Sequence, residues 1–244
     1  MIREPKKDIA IRQTKVMKWS RCKVMPEADA SCERRKEIIY GLKLCILEIG
    51  YENASIRNIA MKSGILPGSI HYHFRTKEEI LLALLQDLVA SADKRYQSLI
   101  SSTTAPKVKM DFFIDSHLSP DVGAEVGDMA SLIHIAALAA TRTELRVAYQ
   151  LAVNHRVEVL NEIIIEVMNW LGRSTARSRE ISTAVLATIE GHYQFFVSAP
   201  QLFERRQATF IAKTMAMGLI LRQKTVISSP RFLAIDQDEG IFAP

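Results

Sequence analysis

Side chains that can bond to phosphate follow one another closely between residues 55 and 77. Hydroxyl, imidazole, guanidinium and ammonium groups all donate hydrogen bonds to phosphate oxygens, and such contacts position a protein on DNA. The candidates for DNA contact are Ser55, Arg57, Gly68, Ser69, His71, Tyr72 and Lys77. Gly68 is included because a residue without a side chain permits close approach. The sequence contains no GxSxG, no paired catalytic carboxylates and no phosphate-binding loop, so we predict no catalytic residues and no enzyme.

The residues from Ser55 to Phe74 predict two short helices joined by a tight turn. Ser55 is a suitable N-cap, because its hydroxyl accepts a hydrogen bond from a free backbone amide. Gly64 can adopt the left-handed conformation that ends a helix and turns the chain sharply. Pro67 suits the first position of the second helix, where its missing amide hydrogen costs nothing. This arrangement is typical of a DNA-binding helix-turn-helix, although spacing alone also allows a surface hairpin of two helices.

Hydrophobic spacing distinguishes the two faces of each short helix. Ile56, Ile59 and Ala60 lie three and four residues apart, as on a buried helical stripe. Ile70 and Phe74 share the inward face of the second helix, and a row of Gly, Ser, His and Tyr is left on the outward face. We expect this slim, polar row to approach the edge of a DNA groove.

Residues from about 33 to 88 resemble the DNA-binding domain of the TetR family of bacterial transcription regulators. The resemblance lies in the opening helix RRKEIIYGLKLCILEIGY, in SIRNIAMKSG followed by GSIHYHF, and in TKEEILLALL. The family's usual ending is Gly, Thr or Ser, Leu, Tyr, any residue, His and Phe, then a short link to Ser or Thr, Lys and Glu. The corresponding residues here are Gly68, Ser69, Ile70, His71, Tyr72, His73 and Phe74, then Thr76, Lys77 and Glu78.

Two residues depart from the family pattern. Leu66 stands where the family commonly has Ser or Thr, so the second short helix lacks its usual side-chain cap, at a cost of about 1 kcal/mol. His71 stands where the family usually has Tyr. Both side chains donate to phosphate, but only histidine changes charge near neutral pH. We expect affinity for DNA to rise modestly as the pH falls through about 6.5. The alternative is that His71 acts as a neutral donor.

The positive charge of the chain is concentrated at its amino-terminal end. Residues 1–36 contain eleven Lys or Arg and five Asp or Glu, a net charge of +6, whereas the whole chain carries +5. Such a basic end favours attraction to DNA phosphates. We expect residues 1–32 to form a disordered basic arm that lies along the DNA backbone or enters the minor groove. The alternatives are a solvated tail, or a chain start at Met17 or Met25.

Three cysteines, Cys22, Cys32 and Cys45, occur without a CxxC pair, which predicts neither a disulfide framework nor a zinc site. The histidines form no HExxH motif, so we expect no metal and no cofactor. The chain has no apolar run long enough for a membrane span and no secretory start. We therefore expect a cytoplasmic protein without a membrane partner.

The remaining sequence predicts an all-α fold. Thr76 and Glu79 form a capping box that begins a long linking helix. Further apolar helical segments are predicted at 107–117, 124–140, 143–171, 178–198 and 202–221. We divide the chain into a helix-turn-helix domain at 33–92, a larger helical domain at 93–224 and a tail at 225–244.

The resemblance implies that the larger domain binds a ligand and that its last two helices pair with those of a second copy, giving a homodimer on operator DNA. We expect an unidentified small apolar or amphipathic ligand, and a repressor that the ligand releases. The candidate lining residues are Phe112, Phe113, His117, Met129, Ile133, His134, Tyr149, His192 and Phe196. Of these, His134 is singled out because its polar ring lies in the apolar segment SLIHIAALAA. The alternatives are a regulator without a small-molecule ligand, which would be an activator or work with a protein partner, and an all-α enzyme.

Overall fold

A computed structural model describes residues 26–100 and 105–226, and these residues form an all-α fold, as predicted. They contain no β-strand, only an isolated bridge between Arg173 and Thr225. Short 3-10 turns precede α8 and α9. The helices are α1 (Pro26–Ile49), α2 (Ile56–Ser63), α3 (Pro67–His73), α4 (Lys77–Leu99), α5 (Pro106–Leu118), α6 (Val126–Ala139), α7 (Thr143–Trp170), α8 (Ser178–Ser198) and α9 (Arg205–Leu221).

The first helix corrects the expected extent of the amino-terminal arm. A disordered arm as far as residue 32 is wrong, because α1 begins at Pro26. Proline fits the first turn of a helix, where no amide hydrogen is needed, so Pro26 opens the helix and does not interrupt the chain. Residues 1–25 lie outside the described residues, so the contact of the basic arm with DNA stays a prediction.

The helices α1 to α4 share a core that does not stop at the predicted domain boundary. Ile38, Leu42 and Ile70 are fully buried in this core, and Ile135 of α6 and Leu145 of α7 are buried in the same cluster. The helix α4 also runs without a break across residue 92. The helix-turn-helix domain therefore packs directly on the larger domain. A shift of α4 or α6 would displace α1 as well.

The core of the larger domain lies between α5, α7, α8 and α9. Its bulky members include Met110 of α5, Val185 and Tyr193 of α8, whereas α9 turns small residues inward, including Ala212 and Ala216. Small side chains let helices approach closely. Within the described ranges no helix is long and apolar enough to cross a membrane.

Candidate nucleic-acid interface and interior polar cavity

The two short helices have the caps that the sequence predicts. The Ser55 Oγ accepts a hydrogen bond of 3.1 Å from the Asn58 backbone amide at the start of α2. Gly64 ends α2 in the left-handed region, with φ at 69°. Leu66 precedes α3 without any side-chain cap and is 76% exposed. All three predictions about the turn are confirmed.

The outward face of α3 is open to solvent. Ile70 and Phe74 are buried as predicted, while Gly68, Ser69, His71 and Tyr72 are exposed. The Tyr72 ring is 86% exposed. A Cβ added to Gly68 would meet no atom within 4 Å, so nothing in the fold itself covers this side of the helix. Four of the predicted contact residues thus lie together on one accessible surface.

The other three predicted contact residues differ in how free their side chains are to contact DNA. Ser55 and Arg57 are exposed beside α3. Lys77 is only half-buried, and its Nζ donates to the Tyr51 carbonyl at 3.0 Å and lies 4.2 Å from the centre of the Tyr51 ring. Since an ammonium group has three protons, Lys77 can hold the loop before α2 and still donate to a phosphate. Its first role is to position the start of α4.

A second cation, which the sequence analysis did not select, holds the carboxyl-terminal end of α3. Arg35 of α1 donates from Nη1 to the His73 carbonyl at 2.6 Å, and its guanidinium lies 4.0 Å from the centre of the Phe74 ring. Arg35 ties the end of α3 to α1, and Lys77 ties the start of α4 to the loop between α1 and α2. Their partners lie 38 and 26 residues away. No local spacing in the sequence indicates such contacts.

The predicted ligand-lining residues are dispersed. Phe113, His117, Met129 and Phe196 are buried, and Phe112, Ile133, Tyr149 and His192 are half-buried. Only His117 among the nine lines the interior cavity described below. His134, the candidate that the sequence singled out, is exposed and does not line this cavity. Its segment is apolar all round, so the sequence does not define which side of α6 faces the core.

An interior cavity of about 10 Å³ lies where α4, α5, α6, α7 and α8 meet. This volume admits about one water molecule. Polar and charged side chains form one part of its wall and aliphatic side chains the other. The lining residues are Leu88, Val89, Ala92, Arg95, His117, Asp128, Leu132, Arg156 and Tyr193.

A chain of charges connects this cavity to the helix-turn-helix domain. The Asp128 carboxylate of α6 accepts from the Lys43 Nζ of α1 at 3.0 Å and from the Arg95 Nη1 of α4 at 3.3 Å. Arg95 also donates from Nε to the Ser116 carbonyl of α5 at 3.0 Å. Burial of Asp128 between two cations keeps the carboxylate satisfied. Three helices therefore meet at one carboxylate, and Arg95 connects the fourth, α5.

Opposite this chain of charges, Arg156 and His117 are both buried. The Arg156 Nη1 donates to the Glu190 Oε1 at 2.7 Å, and the Arg156 side chain is 6% exposed. His117 is 2% exposed. Its burial, reinforced by the positive charge of Arg156, lowers the His117 pKa to about 3. The imidazole is therefore neutral at ordinary pH. Among the described residues, no group of three or more His, Cys, Asp or Glu could hold a metal ion.

Comparison with known proteins agrees with the geometry of the short helices. The sequence model of the family described as bacterial regulatory proteins, tetR family, matches residues 44–84, which include all of α2 and α3. The HTH-type transcriptional repressor KstR2 of Mycolicibacterium smegmatis is 32% identical over 85 residues. This part of the chain is therefore similar to the DNA-binding domain of the TetR family.

The similarity of the chain to curated relatives is confined to part of each protein. The match to KstR2 covers 35% of the chain and 40% of that repressor. The fatty acid metabolism regulator protein of Bacillus subtilis is 29% identical over 103 residues, which cover 42% of the chain and 47% of the relative. The chain thus matches less than half the length of these relatives.

The fold of the chain extends the likeness to the larger domain. A transcriptional regulator from Rhodococcus sp. Rha1, known from its crystal structure, superposes with a TM-score of 0.66. The superposition covers 80% of this chain and 99% of the other, at 20% identity. This likeness shows a common fold, with a helix-turn-helix followed by a helical domain.

The chain holds interior charges that the sequence analysis did not select. Arg95, Asp128 and Arg156 meet in space although they lie 28 to 61 positions apart in the chain. The one available signal was a charged residue at an inward helical position, as for Asp128 at the start of the apolar helix α6. Aromatic residues and histidines were preferred instead, and most of those belong to the ordinary core.

Proposed function

We propose that this protein is a sequence-specific DNA-binding transcription regulator, and that it represses its target genes until a small molecule releases it. The observation that carries this proposal is the exposed outward face of α3, on a helix whose carboxyl-terminal end is held by Arg35. A short helix presented in this way fits into the major groove of B-DNA. The role also puts the protein in the cytoplasm, where bacterial DNA lies.

The predicted contacts divide into two kinds. Ser69, His71 and Tyr72 project from α3 and are free to reach phosphates or base edges. Arg57 and Lys77 flank α3, and we assign them to phosphates, which orient the protein without reading sequence. Gly68 allows the backbone of α3 to come close to the DNA. The basic residues before α1 add attraction that depends on salt concentration.

A homodimer is part of the proposal. One short helix contacts only a few base pairs, whereas a two-fold dimer reads two half-sites that lie about 34 Å apart. Both α8 and α9 leave large apolar side chains exposed, among them Phe195, Phe210 and Ile211. An exposed apolar face of this kind is typical of a surface that pairs with another chain. The partner we propose is a second copy.

The ligand-released mode draws on the relatives and on the fold. KstR2 is named a repressor, and α4 runs directly from the helix-turn-helix domain to the wall of the interior cavity. A molecule that changes the position of α4 would change the separation of the two α3 helices in a dimer. A coupling of about 1 to 3 kcal/mol between the two sites is sufficient.

The test is a gel shift with the DNA upstream of the protein's own gene. We expect purified protein to retard this DNA at a concentration that leaves unrelated DNA free, and a small molecule to reverse the shift. The double variant Ser69→Ala, Tyr72→Ala should lose the specific shift, while circular dichroism shows the helices intact. Retardation of all DNA alike would contradict sequence-specific binding. A specific shift that no metabolite reverses would favour a regulator that works through a protein partner.

A further inference from the structure

Leu66 presents an apolar side chain directly before α3, on the surface that faces DNA in the proposed function. The side chain is 76% exposed, so the fold itself makes little use of it. A Ser or Thr at this position would cap α3, whereas Leu66 forms no side-chain cap. The chain therefore lacks a stabilising hydrogen bond here and exposes an apolar group. Departures of this kind from the local rules of folding are expected at functional positions.

The backbone holds Leu66 in one orientation. Before it, the Ile65 amide donates to the Ala60 carbonyl at 3.1 Å, and Ile65 packs against the core. After it, Pro67 restricts Leu66 to the extended region, where its φ of −71° and ψ of 139° lie. The Leu66 carbonyl also accepts from the Ser69 amide at 2.9 Å. A backbone that is already fixed has little freedom left to lose on binding.

The side chains that lead α3 toward DNA cannot form hydrogen bonds with a base. They belong to Leu66, Pro67 and Gly68. A recognition helix lies in the major groove with its first residues at the base edges. The base edges in that groove carry hydrogen-bond donors and acceptors, and the apolar group among them is the C5-methyl of thymine. A leucine beside a polar part of the edge would remove water without replacing its hydrogen bond. Thymine is therefore the base that this side chain can select.

We propose that Leu66 recognises one thymine in each half-site of the operator by contact with the C5-methyl group of the base. The proposal rests on the proposed function, because it names the base that one residue of the DNA-binding surface selects. Ser69, His71 and Tyr72 of α3 remain free for phosphates and for other base edges. Leu66 thus contributes to specificity at a position where a capping residue would contribute only to stability.

Met61 of α2 is also strongly exposed, at 71%, and provides the matched control. It follows Arg57 by four positions, so the two side chains lie on the same face of α2. The first helix of a helix-turn-helix crosses the DNA backbone, and Arg57 is assigned to a phosphate. Met61 therefore lies beside the backbone and has no base edge to read.

The test replaces thymidine by deoxyuridine, which differs from it only by the absence of the C5-methyl group. Footprinting of the full-length protein on the DNA upstream of its own gene locates the two half-sites. Each thymine is then replaced in turn, at both symmetry-related positions, in synthetic duplexes without methylated cytosine. We expect replacement at one position to weaken binding by about tenfold to twentyfold, because each of the two methyl groups contributes about fourfold.

Three variants assign this loss to a side chain. Leu66→Ala should bind the thymine duplex about as weakly as the natural protein binds the deoxyuridine duplex, and removal of the methyl groups should then make no further difference. Leu66→Met retains a long apolar side chain and should keep most of the loss. Met61→Ala should keep the loss in full. All three substitutions are on exposed side chains, and circular dichroism should show unchanged helix content.

Two results would overturn the role of Leu66 and leave the proposed function intact. One is a loss on deoxyuridine that survives in Leu66→Ala or disappears in Met61→Ala. The other is a specific site in which no thymine is sensitive to removal of its methyl group. Absence of specific binding to any duplex would refute the proposed function itself, and the role of Leu66 with it.

Discussion

Leu66 occupies the position before α3 at which a side-chain oxygen would bond to a free amide of the first turn. The leucine forms no such bond and is almost wholly exposed, so it contributes little to the core. Leu66→Ser should therefore stabilise the protein by about 1 kcal/mol relative to Leu66→Ala. Urea denaturation of the two variants measures this difference. Equal midpoints for the two variants would show that α3 does not benefit from a cap.

His117 makes the stability of the protein depend on pH. Burial and the neighbouring Arg156 lower its folded-state pKa to about 3, whereas an unfolded chain takes up this proton near pH 6.5. Below pH 6.5 the unfolded state therefore binds a proton that the folded state does not. The contribution of His117 to stability is complete above pH 6.5. It falls by about 1.4 kcal/mol for each pH unit on acidification toward pH 3.

The measurement is the free energy of unfolding in urea at pH 7 and at pH 5. His117→Phe should reduce the loss between these two values, because phenylalanine takes up no proton. His134→Gln removes an exposed imidazole and should leave the loss unchanged. If both variants lose as much stability as the natural sequence, the acid sensitivity has another source.

At the scale of single residues, sequence predicted those roles that depend on local chemistry. Ser55, Gly64 and Thr76 act on backbone groups within a few positions of themselves, and each has the role expected of it. Arg156 depends on Glu190, which lies 34 positions away on another helix. Such an ion pair produces no periodic pattern in the sequence, because the packing of two helices brings its residues together.

The close crossing of α1 and α2 depends on Gly41, because a residue with a side chain at this position would collide with α2. A Cβ at Gly41 would lie 2.8 Å from the Ile59 carbonyl and closer still to the Ser63 hydroxyl. The hydroxyl could rotate away, but the carbonyl belongs to the α2 backbone and cannot. Gly41→Ala should therefore force α2 away from α1 and destabilise the protein by about 1 to 3 kcal/mol.

Gly68 on α3 provides the matched control for Gly41. A Cβ at this position meets nothing within 4 Å, so Gly68→Ala should keep or slightly raise the stability of the protein. It should nevertheless weaken the specific gel shift, because the added methyl group lies on the face that we propose approaches DNA. Thermal denaturation and gel shift of both variants separate the two effects. An unaltered gel shift for Gly68→Ala would place the DNA on another surface.

Among the features of whole helices, the first and last residues were the most predictable, because caps and apolar periodicity depend on residues close together in the sequence. The bounds of α8 match the predicted segment, while α9 begins three residues later than expected because a short turn over Pro200–Leu202 precedes it. The start of α1 was missed because residues 1–32 were interpreted as a disordered arm. The orientation of α6 was also missed, because a helix with apolar residues on every side has no unique inward face.

The molecule as a whole is a helix-turn-helix domain set on a larger bundle without a flexible join. The continuous α4 and the contact of Lys43 with Asp128 connect the two parts. The resemblance to the TetR family predicted a small amino-terminal domain and a larger one. It could not predict the shared core, which forms between α1 and α6, more than 70 positions apart.

The exposed apolar face of α8 and α9 leads to a prediction about the assembly. Phe210 of α9 is 69% exposed in the single chain, and a carboxylate in its place would not disturb the core. In a dimer joined through this face, Phe210→Glu would bury a pair of like charges without partners. We expect the dissociation constant of the dimer to rise about a hundredfold or more. Sedimentation velocity measures this constant, with Val147→Glu as a control on an exposed part of α7.

DNA binding is a second measurement of the effect of Phe210→Glu. A monomer engages one half-site at a time, so Phe210→Glu should weaken the specific gel shift by about a hundredfold even though its α3 is intact. The retained helix content should show that the chain still folds. Shortening the DNA to a single half-site should then abolish the difference between the variant and the natural sequence, because neither protein can use a second contact. A variant that stays monomeric yet binds the full site as tightly as the natural chain would contradict the proposed homodimer on DNA.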